Sequence, residues 1–149
     1  MEYTSVFERQ LNPFKLSGII AIGVFVIILG SVALSKSGIL ESKDIFPWEM
    51  AFSGILFFAL FNAIFSLSAK DQNRYWMLSI FSFVGLVVVL CFIAWLMSGI
   101  TIDEAGSFRW ILMIFTFSYL LILTIVRAMR KIVGIAQKQD ARLRGEIED

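Results

Sequence analysis

Four apolar runs, roughly Leu16–Leu34, Trp48–Ala69, Trp76–Met97 and Phe108–Val126, limit what this chain can fold into more than any other feature. Each holds about 19 to 22 residues, and a helix rising 1.5 Å per residue needs about 20 to cross a ~30 Å hydrocarbon core. Glu49, at the edge of the second run, is the only acid in any of them. Hydrocarbon offers no solvent to backbone N–H and C=O groups, so such runs must be helical. Composition agrees: 58% of the 149 residues are hydrophobic and 17% charged, whereas soluble domains are about half apolar and a quarter charged. The sequence predicts an all-α integral membrane protein, a four-helix bundle of two antiparallel transmembrane hairpins. Residues 1–15 read as a short interfacial segment, 16–126 as the transmembrane domain and 127–149 as a cytoplasmic tail.

The first run has the basic flank of a signal peptide, Arg9 and Lys15, and Ser31-Val32-Ala33 offers a weak cleavage site. Its apolar stretch is longer than the about 7–15 residues of a signal core, and three more spans follow. It reads as a retained first helix.

Ten basic residues fall on one side of this topology: Arg9 and Lys15, Lys70 and Arg74, then Arg127, Arg130, Lys131, Lys138, Arg142 and Arg144. The other side has three, Lys36, Lys43 and Arg109. Basic residues collect in short cytoplasmic loops, so both termini are expected inside. Trp48, Trp95 and Trp110 at the outer ends and Tyr75 and Trp76 at the inner end suit headgroup anchors. The absence of an Asn-x-Ser/Thr sequon and the short outer loops suit a bacterial cytoplasmic membrane.

Within Met1–Asn12, Ser5 and Glu8 have capping-box spacing and Tyr3, Phe7 and Leu11 recur every four residues, the pattern of an interfacial helix ending at Asn12-Pro13. The outer loops echo one another. Ser37-Gly38-Ile39 before Phe46-Pro47-Trp48 matches Ser98-Gly99-Ile100 before Phe108-Arg109-Trp110, at offsets of 61 and 62 residues. Such an echo fits a tandem hairpin repeat, and equally a chance match in a biased composition. In the tail, Ile132, Ala136, Gln139, Leu143 and Ile147 form one stripe, with Asp140 and Arg144 placed for an i,i+4 pair. Arg127, Arg130, Lys131, Lys138 and Arg142 are candidate contacts for anionic lipid or a partner, the alternative being a merely solvated helix.

Asn62 is the most polar side chain deep in a span, and an unpaired amide in hydrocarbon is costly. A tight hairpin between the second and third helices would set Ser66 level with Ser79 and Asn62 level with Ser82. These four are expected to make interhelical hydrogen bonds; a polar track for an ion is the rival reading, disfavoured because no charge extends it. Gly23 with Gly30, and Ala59 with Ala63, have the spacing of close helix contacts. Glu49 and Arg109 could pair across the outer rim.

Enzyme chemistry finds few tools here. Histidine is absent, Cys91 is the one cysteine, and no embedded acid pair or phosphate loop occurs, so no catalytic residue, metal or cofactor is expected. Asp103 and Glu104, adjacent in a loop, read as solvated. The first helix also lacks the acid through which small multidrug exporters couple protons to substrate. The reading that remains is a non-catalytic membrane subunit that packs against and stabilises or localises a larger membrane complex. Its partners would be the lipid bilayer and other membrane subunits or further copies of itself, not nucleic acid. The alternative is a small oligomeric ion channel or transporter with a polar track around Asn62.

Overall fold

A computed structural model describes residues 12–39, 41, 43–67, 69 and 71–145. The expected interfacial helix at Met1–Asn12 lies almost wholly outside these residues, as do Lys70 and Ile147. The described chain is all-helical: α1 (Pro13–Lys36), α2 (Phe46–Leu67), α3 (Gln72–Ser98) and α4 (Phe108–Leu143). All four are long and apolar enough to span a membrane, which makes this a multi-pass membrane protein.

Local chemistry sets the helix ends. α1 starts three residues before the apolar run because Asn12 accepts a hydrogen bond from the Phe14 amide at 3.2 Å and Pro13 occupies the first turn. Asn12-Pro13 therefore opens α1. Asp71 caps α3 by accepting from the Arg74 amide at 3.3 Å. The two Ser-Gly-Ile echoes are both helix stops. Gly38 and Gly99 take left-handed φ of 74° and 71°, which a residue without Cβ adopts freely. The first closes a Schellman motif, with Ile39 N–H on the Leu34 carbonyl and Gly38 N–H on that of Ser35; the second makes the single bond from Gly99 N–H to the Trp95 carbonyl.

The packing is uneven. α2 and α3 form the central antiparallel pair, α1 lies against both, and α4 rests mainly on the other side of α2. Among the described residues α1 and α4 do not meet, and α3 touches α4 only sparsely. The α1–α2 and α3–α4 hairpins are thus not equivalent in packing, while both loops of the echo stop a helix at a left-handed glycine. Of the most apolar stretch of α4, 11% is buried, against 39% in α2. α4 is a peripheral helix.

Side chains of α1 and α3 crowd onto α2 at Gly54. A Cβ there would sit 2.7 Å from Val24 Cγ2 and 3.1 Å from Leu90 Cδ1. Around it are the buried Ile28, Ala51, Ile55, Phe58, Leu90 and Ala94. Gly23 and Gly30, the pair expected at a close contact, have open space where a Cβ would be. They sit on the face of α1 turned away from the bundle.

Gly54→Val should therefore overpack the three-helix contact and cost about 1–3 kcal/mol, lowering the midpoint of thermal unfolding in detergent. Gly23→Val should leave that midpoint unchanged. Equal effects of the two substitutions would contradict the assigned contact.

Candidate functional site

α4 is fastened to α2 and α3 by a chain of buried hydrogen bonds. The Tyr75 hydroxyl donates to Asn62 Oδ1 at 3.0 Å. Asn62 Nδ2 donates to the Tyr119 hydroxyl at 2.7 Å, which in turn donates to the Ser79 carbonyl at 3.3 Å. Asn62 is fully buried and Tyr119 is 2% exposed. The amide thus finds a donor on α3 and an acceptor on α4, as a group in hydrocarbon must. Sequence reasoning placed Asn62 inward but chose the wrong partners. No hydrogen bond joins it to the Ser82 hydroxyl, and the Ser79 and Ser82 hydroxyls are buried without any partner among the described residues. The tyrosines were overlooked because a serine must sit level with its partner, whereas a tyrosine reaches about a helical turn further. Tyr75, assigned to the headgroup layer, is instead buried.

Rings surround this knot. Tyr119 stacks on Phe83 with centroids 4.3 Å apart and lies 6.2 Å from Phe58. From Asn62 toward the α1–α2 loop, the interior facing side chains are Phe58, Ile55, Phe52, Ala51 and Trp48 on α2 and Phe83, Leu86, Leu90 and Ala94 on α3, all buried. No polar track continues through them.

On the α2–α3 loop side, two arginines of α4 close the knot. Arg130 donates to the carbonyls of Ser66 (3.3 Å) and Ala69, which sit at the C-terminal end of α2. The last carbonyls of a helix lack partners within it and carry its negative dipole end, so a guanidinium suits them. Ser66 is thus an interhelical contact through its backbone. Arg127 donates to Asn73 Oδ1 at 2.8 Å and stands 5.0 Å over the Trp76 ring. Expected as lipid or partner contacts, both are engaged within the chain. Lys131, Lys138 and Arg142 are exposed on the extension of α4, where the expected Asp140–Arg144 pair forms at 2.8 Å.

At the opposite end, Arg109 pairs with Asp103 at 3.0 Å and not with Glu49, which is exposed. The partner six residues away on the same loop is within easier reach than one on another helix. Trp48 is no headgroup anchor either: it is 2% exposed, and its indole donates to the Ile100 carbonyl at 3.3 Å, tying the α3–α4 loop to the start of α2. Glu104 accepts from the Thr101 amide at 2.7 Å and its hydroxyl at 3.0 Å, a capping box around one turn. The amide first, then the hydroxyl, hold its carboxyl below the ordinary range, with Asp103 opposing.

Between α2 and α4 runs an apolar groove of about 230 Å³. Ala59 and Ala63 line it from α2, and Phe115, Ser118 and Ile122 from α4. The small-residue pair of α2 thus opens a groove within the chain in place of closing a contact.

Removing the knot should loosen α4 first. Asn62→Leu strands the Tyr75 hydroxyl and removes the donor that Tyr119 accepts from, and should cost about 1–3 kcal/mol. A double-mutant cycle with Tyr119→Phe should give a coupling of roughly 0.6–1.7 kcal/mol, read from unfolding in micelles; additive losses would deny the contact. At the other end, a carboxyl with a lowered pKa supports its turn above its unfolded value of about 4.3 and loses that effect as pH falls through the lower folded value. The Thr101 amide resonance should accordingly titrate below the unfolded carboxyl value and become insensitive in Glu104→Gln.

Comparison of the chain with family models, with curated proteins and with solved structures gives no match.

Proposed function

We propose that this chain is a non-catalytic integral membrane subunit that packs laterally against other membrane subunits and thereby stabilises or localises an assembly. The observation that carries the proposal is the state of α4. It is attached to the bundle by one polar knot, two arginines and a few rings, and most of its surface is left uncovered. At 36 residues it is about 54 Å long, well beyond the ~30 Å of a bilayer core. The surplus beyond Val126 keeps Met129, Ile132, Val133 and Leu143 more than half exposed. Apolar side chains in lipid need no cover, but in water a row of them marks an interaction surface. The ten-to-three distribution of basic residues supports placing this extension and both termini in the cytoplasm, and a bacterial inner membrane is the setting we propose.

The rival reading is a channel or transporter around Asn62, for which the unpartnered Ser79 and Ser82 hydroxyls speak. The continuous apolar packing from Phe58 to Trp48 weighs against it. Two measurements separate the readings. Extraction from native membranes in mild detergent should co-purify a partner subunit in fixed ratio, and truncation after Val126 should release it. Purified protein in liposomes should pass neither monovalent cations nor small anions above the empty-vesicle rate. A flux that Asn62→Leu abolishes would replace this proposal with the channel.

A further inference from the structure

The groove beside α2 and the exposed stripe of the extension are one surface. From Phe115, residues recur along α4 at alternating steps of three and four: Phe115, Ser118, Ile122, Ile125, Met129, Ile132, Ala136, Gln139 and Leu143. That is an unbroken seven-residue repeat over four heptads, long enough to signal a coiled coil. Its first three members line the groove. Further on, Ile125, Met129, Ile132 and Leu143 are 48, 57, 66 and 87% exposed. α4 runs without interruption through Gly134 to Leu143, so the stripe stands away from the bilayer surface and cannot lie flat on it.

An occupant of the whole surface must be a helix that crosses the membrane along the groove and leaves it along the same line. We infer that this occupant is α4 of a second copy of the chain, the two forming a parallel pair about an axis along the membrane normal. The inference gives the proposed lateral packing a partner and rests on that reading. Three features favour an identical partner. Two copies inserted with the same orientation bring their α4 helices together parallel and in register, so each repeat position meets its own counterpart. Gln139 lies on the seam and is exposed in the single chain; its amide both donates and accepts, and a matched Gln139 across the axis satisfies it, as polar seam residues do when they set register. Arg127 projects from the far side of the helix, about half a turn from the seam, and Lys131 and Lys138 lie about a third of a turn from it, so the like charges of these three do not oppose one another. Within the membrane, Ser118 on the seam and Ala59 and Ala63 beside it allow the backbones to approach closely.

Disulfide cross-linking in native membrane vesicles tests this pairing. Single cysteines are placed at Met129, Ile132, Ala136 and Leu143 on the seam and at Lys131 and Lys138 off it, each in full-length protein carrying Cys91→Ser. Seam positions should give a product of twice the chain mass, containing this chain alone, in roughly tenfold higher yield than the off-seam positions, because only facing seam residues bring their Cβ atoms within disulfide range. Equal yields at both sets, or no product at all, would overturn it. A seam product containing a different polypeptide would also overturn the second copy, while leaving the membrane-subunit reading intact. A seam dimer together with an empty pull-down would do the reverse.

Discussion

One amide governs how this bundle is assembled. Asn62 sits where no water can serve its carbonyl and amino group, and a stranded polar group at that depth costs more than most single packing contacts supply. The neighbouring helices must therefore present a donor and an acceptor at fixed places. Tyr75 from α3 and Tyr119 from α4 do so, and their positions settle the rotation and height of those helices against α2. Once Tyr119 is set, Arg127 and Arg130 fall two and three turns further on, at the level of Asn73 and the open carbonyls of α2. A nonpolar residue at 62 would leave α4 without its buried side-chain link to α2, held at that depth by ring contacts and the Tyr119 bond to the Ser79 carbonyl.

The other three helices obey a different rule. α1, α2 and α3 converge on Gly54, where van der Waals contact and not polarity decides the spacing. Lipid tails are as apolar as the helix surfaces, so association in a membrane depends on how closely the backbones can come. The chain thus combines a tight trio held by shape with a fourth helix held by hydrogen bonds. This asymmetry explains why equal loop lengths and matching Ser-Gly-Ile stops do not produce equal hairpins.

Much of this was legible in the sequence, and what was not has a common cause. Span length and apolarity are properties of a single segment, and they gave all four helices to within a few residues except at the far end of α4. Asn62 was legible as an inward residue for the same reason. Its partners depend on side-chain reach and helix rotation, which no single segment contains; reasoning by level depth favoured serines over tyrosines. Gly54 was invisible because the residues four places on either side, Met50 and Phe58, are large, whereas Gly23 and Gly30 have the familiar spacing and face away from the bundle. Trp48 and Arg109 erred in the same direction. A tryptophan or arginine near a span end suits the headgroup layer on average, but here the nearest loop offered the Ile100 carbonyl and Asp103.

The length of α4 adds a geometric demand that the monomer does not meet. A seven-residue repeat on a straight helix of 3.6 residues per turn drifts by about 20° per heptad, or about 80° over four. On an isolated α4, the stripe that begins in the groove beside α2 would wind steadily around the helix before reaching Leu143. Only supercoiling about a neighbour keeps such a stripe on one side. The clamp at Arg130 lies near the middle of the repeat, so winding must be taken up on either side of a fixed point: within the membrane against α2, and beyond it in the free extension. Beyond Arg130 the described residues of the extension are almost all exposed, which leaves its path to be set by whatever helix lies alongside.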